Sequence, residues 1–223
     1  LLYTIAGLES PTSGEVLVAD KNIKLMHDKG LIDFYRNTIG MVFQAFYLVP
    51  HLTAKDNMML SKMFAGVPRV ESEKKADELC KRFGITEFAN RKPSMLSGGQ
   101  QQRTAIARAL MNDPEIILAD EPVGNLDSKN AGIVLELLAD IHRQEKKTVI
   151  QVTHNPNDIH YADRVFYMKD GVIEKIVVQE KTKTPEASTK TKTVEETTRD
   201  TSHVILQALV ASYSGHLTPE QAE

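Results

Sequence analysis

Apolar and polar positions along the chain follow patterns that predict strands and helices in turn. Short apolar runs, typical of buried strands, recur between longer segments whose apolar residues have helical spacing. The predicted strands cover residues 15–18, 39–43, 115–119, 148–152, 164–168 and 172–178. The predicted helices cover residues 31–38, 53–64, 71–83, 99–111, 131–143 and 156–161. This alternation predicts an α/β fold with a mainly parallel sheet covered by helices.

The end of the chain differs in composition from the rest. Residues 179–202 are rich in Thr, Lys and Glu and contain almost no apolar side chains. Such a segment buries too little surface to offset the entropy lost on ordering, so we expect a disordered linker there. Residues 203–223 regain apolar positions at helical spacing and favour a short C-terminal helix. The predicted organisation is one domain over residues 1–178, followed by this linker and helix.

Composition and charge narrow the classes of function. The chain has 223 residues, enough for one sizeable domain, and its net charge of −3 gives no indication of a nucleic-acid partner. The single cysteine, Cys80, excludes an internal disulfide and has no neighbouring Cys or His that would suggest a metal site. No apolar run approaches the roughly 18 residues that a membrane-spanning helix requires.

The first chemical motif is an acidic pair at the end of a strand. Asp120 and Glu121 follow the apolar run at 116–119, and open α/β sheets bind ligands at the carboxyl ends of their strands. Asp120 suits a hydrated Mg²⁺ ion, and Glu121 suits the polarisation of an attacking water. The alternative is a strand that ends in a solvated acidic turn.

The second motif is a glycine pair that opens a helix. Ser97, Gly98 and Gly99 open a predicted helix, whose first N–H groups and positive dipole end attract anions. Two glycines allow a phosphate to approach the backbone closely. An ordinary serine N-cap with a flexible lead-in explains the same pattern, so this motif alone decides nothing.

Three polar residues in loops complete the set of candidates. Gln44 and His154 each follow an apolar strand, and Asp127 lies in a polar turn after the acidic pair. Gln44 could reach a metal ion or water, and His154 could donate to a phosphate oxygen. Each also has a simpler explanation: solvent exposure for Gln44, a structural role for His154, and a helix N-cap for Asp127.

In this order and spacing, the motifs resemble those of the ATP-binding cassette (ABC) family, and the resemblance covers residues 1–178. Residues 96–100 are similar to its LSGGQ signature, and residues 116–121 to its Walker B strand with the catalytic glutamate. Gln44, Asp127 and His154 are similar to the residues of its Q, D and H loops.

Within the family, two segments are most similar to the macrolide-export and lipoprotein-release branch. These segments are residues 41–57 and the Gly-Asn-Leu-Asp turn at 124–127. Val123 stands where that branch usually has Thr, and the Thr-rich tail is not a feature of the family. The resemblance implies a P-loop NTPase-like fold with a helical subdomain that carries the signature.

The family also implies an activity and partners. It implies an ATPase that works as a homodimer or heterodimer, joined head to tail, with ATP and Mg²⁺ between the subunits. Glu121 would be the general base, His154 would contact the γ-phosphate, and Asp120 with Gln44 would hold Mg²⁺. The residues that would contact ATP are Gln44, Ser97, Gly98, Gly99, Gln100 and Asp127. A transmembrane permease would be the partner, at the cytoplasmic face of the cell membrane, with transport in the export direction.

One expected motif is missing from the sequence. The phosphate loop of the family, G-x-x-x-x-G-K-[ST], ends just before a Leu-Leu pair like the one with which this chain opens, and no glycine here is followed by lysine. We therefore expect the N-terminal strands and the phosphate loop to be truncated, and residues 1–223 alone to bind ATP poorly. Two alternatives stay open at this point: a soluble ABC ATPase unrelated to transport, and a non-catalytic module.

Overall fold

The computed structural model describes residues 1–179 and the backbone of residues 204–209. Its main sheet has six strands in the order β3-β4-β5-β8-β6-β7, and a small hairpin pairs β1 with β2. The strands are β1 Leu17–Val18, β2 Lys21–Asn22, β3 Ile39–Val42, β4 Ile116–Asp120, β5 Thr148–Thr153, β6 Arg164–Lys169, β7 Val172–Val178 and β8 Val204–Leu209. The α-helices are α1 Leu2–Ile5, α2 Asp28–Asn37, α3 Ala54–Phe64, α4 Arg69–Arg82, α5 Gly98–Ala109 and α6 Ser128–Glu145.

The sheet divides the interior into two apolar layers. Strands β3, β4 and β5 are parallel, and successive side chains of β4 point to opposite faces. Ile117 and Ala119 belong to the larger core, which they share with α3 to α6. Leu118 belongs to the smaller core, together with Phe34 of α2 and Leu2 of α1. The parallel strands β3 to β5, with helices on both faces of the sheet, confirm the predicted α/β fold class, while the pairings β5–β8, β8–β6 and β6–β7 are antiparallel.

Helices α3, α4 and α5 form a subdomain at one edge of the parallel strands. Met58, Leu79 and Ile106, one from each helix, are almost completely buried in the larger core. Helix α3 begins where the sequence predicts, because the Thr53 side chain accepts a hydrogen bond from the backbone N–H of Asp56. The helical subdomain therefore supports α5, which begins directly after Ser97.

The prediction of a helix at 203–223 is wrong where the structure tests it. Residues 204–209 form β8, which lies between β5 and β6 and is antiparallel to both. A short apolar run fits a buried strand as well as a helix, and Val204 and Ile205 are β-branched, which favours the strand. Because β8 lies between β5 and β6, it also provides hydrogen-bond partners for the backbone groups on the adjoining sides of both strands.

Other boundaries differ from prediction by a few residues. Helix α2 begins at Asp28 and α6 at Ser128, each three residues earlier than predicted, because their first turns are polar and carry no periodic signal. The predicted linker at 179–202 lies outside the described residues, apart from Gln179, whose backbone N–H donates to Asp163. Among the helices in the described ranges, none combines the length and the hydropathy needed to cross a bilayer.

Candidate active site

The three parallel strands deliver the predicted polar residues to one edge of the sheet. Asp120 is the last residue of β4, and Glu121 follows it. Gln44 comes shortly after β3, and His154 directly after β5. Since parallel strands end at the same side of the sheet, the four residues lie on that side, and the side chains of Gln44, Glu121 and His154 come close to one another there.

Glu121 and His154 are in direct contact. His154 Nδ1 lies 3.0 Å from Glu121 Oε1, a distance that suits a hydrogen bond. The backbone of Glu121 has a φ of +41°, which is rare for a residue other than glycine, and its N–H donates to the carbonyl oxygen of Val152 on β5. That bond fixes the turn and holds the carboxylate beside the imidazole. Such a pair can orient and polarise a water molecule.

Gly124 leaves the space in which two of these side chains converge. A Cβ atom at this position would lie 2.6 Å from Gln44 Nε2 and 3.2 Å from Glu121 Oε2. Asn125, the next residue, donates from Nδ2 to the backbone carbonyl of Gln44 at 3.0 Å. The sequence placed Gly124 and Asn125 in a polar turn but did not identify them as site residues. The signal was a Gly-Asn pair three residues after the acidic pair.

Asp120 binds a tyrosine that sequence reasoning did not single out. The hydroxyl of Tyr3 donates to Asp120 Oδ2 at 2.7 Å, and this bond is the main reason why the pKa of Tyr3 is raised to about 12. The phenol is therefore protonated at neutral pH and remains a donor. Because its partner is an aromatic residue of α1, no sequence spacing links it to the acidic pair.

The oxygen atoms at this edge suit a hard cation. Carboxylates of Asp120 and Glu121 and the amide oxygen of Gln44 are the ligand types that Mg²⁺ prefers. In the described part of the chain, no cluster of three or more His, Cys, Asp or Glu residues could enclose a metal ion by itself. Such a site fits Mg²⁺, which is usually held by one or two carboxylates and completed by phosphate and water.

The serine-glycine motif begins α5 as predicted, and its serine is an N-cap. Ser97 Oγ accepts from the N–H of Gln100, while Gln100 Oε1 accepts from the N–H of Ser97. This capping box leaves the motif at an exposed helix start, and it occupies the Gln100 side chain that was expected to contact ATP. Ser97 is therefore a helix N-cap, the simpler of the two explanations. This role does not conflict with anion binding by the N–H groups that the capping box leaves free.

The two glycines have packing reasons of their own. A Cβ atom at Gly99 would lie 2.5 Å from Asn130 Oδ1, so only glycine allows α6 to approach this closely. At Gly98 the Cβ position is 3.3 Å from Leu126 Cδ2 and 3.9 Å from Phe46 Cζ. The start of α5 therefore packs against the turn that follows the acidic pair.

Asp127 is the N-cap of α6, close to the start of α5. Its carboxylate accepts from the side-chain amide of Asn130 at 2.6 Å and from the backbone N–H groups of Lys129 and Asn130. These bonds, above all the one from the Asn130 side chain, lower the pKa of Asp127. The N-cap explanation of Asp127 is correct, and the residue is exposed beside the start of α5.

The predicted residues thus form two groups that the structure connects. One group is Gln44, Asp120, Glu121 and His154; the other is Ser97, Gly98, Gly99, Gln100 and Asp127. The buried side chain of Gln102 on α5 donates to the carbonyl oxygen of Pro122 at 2.6 Å, directly after the acidic pair. A cavity of about 570 Å³ opens beside this turn, lined among others by Glu121, Leu126, His154 and Tyr161.

Known proteins are similar to this chain in sequence. Residues 1–124 match the ABC transporter family. The macrolide export ATP-binding/permease protein MacB of Wolinella succinogenes is 42% identical over 173 residues, which are 78% of this chain and 27% of that longer protein. The lipoprotein-releasing system ATP-binding protein LolD 1 of Rhodopseudomonas palustris is 41% identical over 174 residues, 78% of this chain and 77% of that protein.

The fold is also that of a solved cassette. The dimeric post-hydrolysis state of the ATP-binding cassette MJ0796, bound to ADP and Pi, is similar to this chain with a TM-score of 0.72 and 42% identity. The similarity covers 79% of this chain and 78% of that one. Family, relatives and fold agree with the resemblance that the sequence motifs indicate. The chain therefore belongs to the ABC transporter family, in which it corresponds to the ATP-binding subunit.

Proposed function

We propose that the protein hydrolyses ATP at an interface between two cassettes and drives export through a transmembrane partner. The observation that carries this proposal is the contact of Glu121 with His154 at 3.0 Å, beside the Gln44 amide. A carboxylate held against an imidazole at the rim of a parallel sheet suits the activation of water for attack on a phosphate. The solved relative with ADP and Pi is itself a dimer, which supports the paired arrangement.

The residues at the sheet edge would act on the terminal phosphate. Glu121 would accept the proton of the attacking water, and His154 would hold Glu121 through Nδ1 while its other ring nitrogen contacts the γ-phosphate. Asp120 and Gln44 would hold Mg²⁺, which when bound neutralises phosphate charge. In this state the Tyr3 hydroxyl would have to leave Asp120 or bind it alongside the ion.

The start of α5 would act on the nucleotide of the other subunit. Gly98 and Gly99 begin α5 at its positive dipole end with backbone N–H groups that the capping box does not use, and Ser97 would donate from its hydroxyl, so an anion there would complete the interface. Gln100 would contact the nucleotide through its backbone, since its side chain is engaged in the capping box. Asp127 would lie at the seam between the subunits.

Replacement of Glu121 by glutamine tests the catalytic assignment. The assay requires a complete cassette, by which we mean a polypeptide in which a phosphate loop of the G-x-x-x-x-G-K-[ST] type precedes Leu1. We expect Glu121→Gln to bind ATP with near-parental affinity and to slow hydrolysis by about 100-fold or more, because the amide cannot accept the proton. Hydrolysis close to the parental rate would show that another group is the base.

The transmembrane partner would dock on the loop that follows Gln44. This loop, residues 45–52, exposes aromatic and apolar side chains, with Tyr47 at 65% and Val49 at 39% relative exposure. MacB combines an ATP-binding and a permease part in one protein, which supports a membrane partner at the cytoplasmic face. We expect Leu48→Glu in the complete cassette to lower transport per ATP hydrolysed, because a charge opposes burial against a membrane subunit. Unchanged transport would contradict docking at this loop.

A further inference from the structure

The 45–52 loop has a backbone conformation that needs support. Phe46 and Tyr47 have φ angles of +57° and +45°, in the left-handed region that residues with large side chains rarely adopt. Two successive aromatic residues in this region are strained, and such strain persists only where surrounding contacts impose it. The strain lies next to Gln44 and within the loop proposed to dock on the membrane subunit. The contacts that impose this strain therefore affect the loop through which ATP hydrolysis would be coupled to transport.

Arg108 of α5 supplies the first of these contacts. Its guanidinium donates from Nη2 to the carbonyl oxygen of Phe46 at 2.8 Å and from Nη1 to that of Tyr47. The left-handed backbone turns both carbonyls towards one guanidinium, whose planar fork can bind two acceptors at once. Burial lowers the pKa of Arg108, yet arginine stays protonated at neutral pH and keeps all its donors.

Asn57 of α3 holds the other half of the loop. This side chain is completely buried. Its Oδ1 accepts from the N–H of Val49 at 2.7 Å, and its Nδ2 donates to the carbonyl oxygens of Val49 at 3.1 Å and Thr53 at 3.0 Å. The second half of the loop is therefore fixed to α3, while the first half is fixed to α5 by Arg108.

Helix α5 contacts the loop at both of its ends. The Phe46 ring reaches the start of α5, where its Cζ lies 3.9 Å from the Cβ position of Gly98. Arg108 is the last residue but one at the other end of this helix. The helix that begins with the serine-glycine motif thus contacts the first half of the loop at both of its ends.

We propose that Arg108 is a positioning residue that couples α5 to the 45–52 loop. A movement of α5, when nucleotide joins two cassettes, is passed to the loop through the two carbonyls that Arg108 holds. The inference rests on the proposed function, since it takes the loop to be the surface that docks on the membrane subunit. Arg108 itself touches neither nucleotide nor the reacting atoms.

The same helix offers a matched control. Arg103 donates from Nη1 to the carbonyl oxygens of Phe83 at 3.0 Å and Gly84 at 3.2 Å, at the end of α4. It is also an arginine of α5 whose pKa is lowered by burial. Substitution of Arg103 by lysine removes a comparable pair of contacts to successive carbonyls, but leaves the 45–52 loop untouched. Any general weakening of α5 should therefore be seen in both variants.

The test compares Arg108→Lys with Arg103→Lys in the complete cassette. Lysine keeps the charge and most of the aliphatic stem but lacks the planar fork. We expect amide hydrogen exchange within residues 45–49 to become about tenfold faster in Arg108→Lys, and to stay parental in Arg103→Lys. In the complex purified from native membranes through a tag on the cassette, we expect stimulation of ATP hydrolysis by the membrane subunit to be lost only in Arg108→Lys.

Each other outcome overturns the inference. Parental exchange in Arg108→Lys would mean that the guanidinium does not hold the loop, and faster exchange with full stimulation would mean that holding it does not matter for coupling. An equal loss in Arg103→Lys would indicate a general effect on α5. Leu48→Glu, measured in parallel, separates the two proposals. If Leu48→Glu leaves the stimulation of ATP hydrolysis at the parental level, the loop is not the docking surface, and both proposals are wrong. If Leu48→Glu loses the stimulation and Arg108→Lys keeps it, docking at the loop stands and only the role of Arg108 is contradicted.

Discussion

Replacement of Gly124 by alanine tests the geometry of the turn that follows the proposed catalytic residue Glu121. The new Cβ atom would lie 2.6 Å from Gln44 Nε2, whereas ordinary van der Waals contact begins at 3.4 Å. The amide must therefore move by about 0.8 Å, and Glu121 Oε2, at 3.2 Å, must move by a few tenths of an ångström. Displacements approaching 1 Å in an active site can cost about 100-fold in rate, so we expect kcat to fall by about 10- to 100-fold.

The same substitution should hardly affect folding. Gly124 is not among the described glycines with a positive φ, so alanine can adopt its backbone conformation. The atom that the Cβ atom displaces most is the end of a flexible glutamine side chain, which can rotate away. We therefore expect the free energy of unfolding to change by less than about 1 kcal/mol. Loss of rate without loss of stability would separate a geometric effect from unfolding.

Gly132→Ala is the matched control for this experiment. Gly132 lies in α6, and nothing is within 4 Å of its Cβ position. Alanine there should stabilise the helix by up to about 1 kcal/mol and leave the rate unchanged. The assay is phosphate release by the complete cassette at saturating ATP, together with nucleotide affinity and thermal unfolding of each variant. If Gly124→Ala hydrolyses ATP within about twofold of the parental rate, the close approach of Gln44 and Glu121 at Gly124 is not required for hydrolysis.

The remaining predictions concern the imidazole, a helix cap and one ion pair. His154→Ala should lower kcat by about 10-fold or more at parental thermal stability, because the exposed ring contributes its contact with Glu121 rather than burial; phosphate release measures this. Asp127→Ala should destabilise the fold by about 1 kcal/mol in denaturant titrations, since α6 loses its N-cap. A hydrogen bond from Lys147 at 2.6 Å is the main cause of the lowered pKa of Asp113. This carboxylate therefore stabilises the fold above its unfolded pKa of about 4, and the contribution disappears as pH falls through the lower folded value. The stability difference between parent and Asp113→Asn should be below about 1 kcal/mol at pH 7, because the carboxylate is largely exposed, and should vanish in acid; a difference that grows in acid would contradict this sign.

The elements that carry the chemistry could be predicted because their signals are local. An apolar run followed by Asp120 and Glu121 predicts both the strand and the position of the acidic pair at its carboxyl end. The threonine cap of α3 and the serine cap of α5 likewise depend only on residues within one turn. The contact of His154 with Glu121 spans 33 residues, yet it follows from two parallel neighbouring strands that end at the same edge.

The features that could not be predicted depend on residues that are distant in the sequence and become neighbours only in the folded chain. Residues 204–209 have apolar positions compatible with either a helix or a strand, and the position between β5 and β6 decides for the strand. The need for glycine at 99 comes from Asn130, which lies 31 residues away on another helix. Sequence reasoning explained that glycine by the approach of a phosphate, because the packing partner leaves no mark in the local pattern.

The contacts that connect the two groups of site residues share one chemical form. In each, a side chain donates to a backbone carbonyl: Asn125 to Gln44, Gln102 to Pro122, and Arg108 to Phe46 and Tyr47. A carbonyl acceptor is present whatever side chain its residue carries, so the accepting positions other than Gln44, whose side chain belongs to the candidate site, can change identity and keep the contact. The donors have no such freedom, since few side chains place an N–H group at that distance. Variation at the donor Gln102 should therefore disturb the link between α5 and the candidate site more than equal variation at its acceptor Pro122, although Pro122 directly follows Glu121.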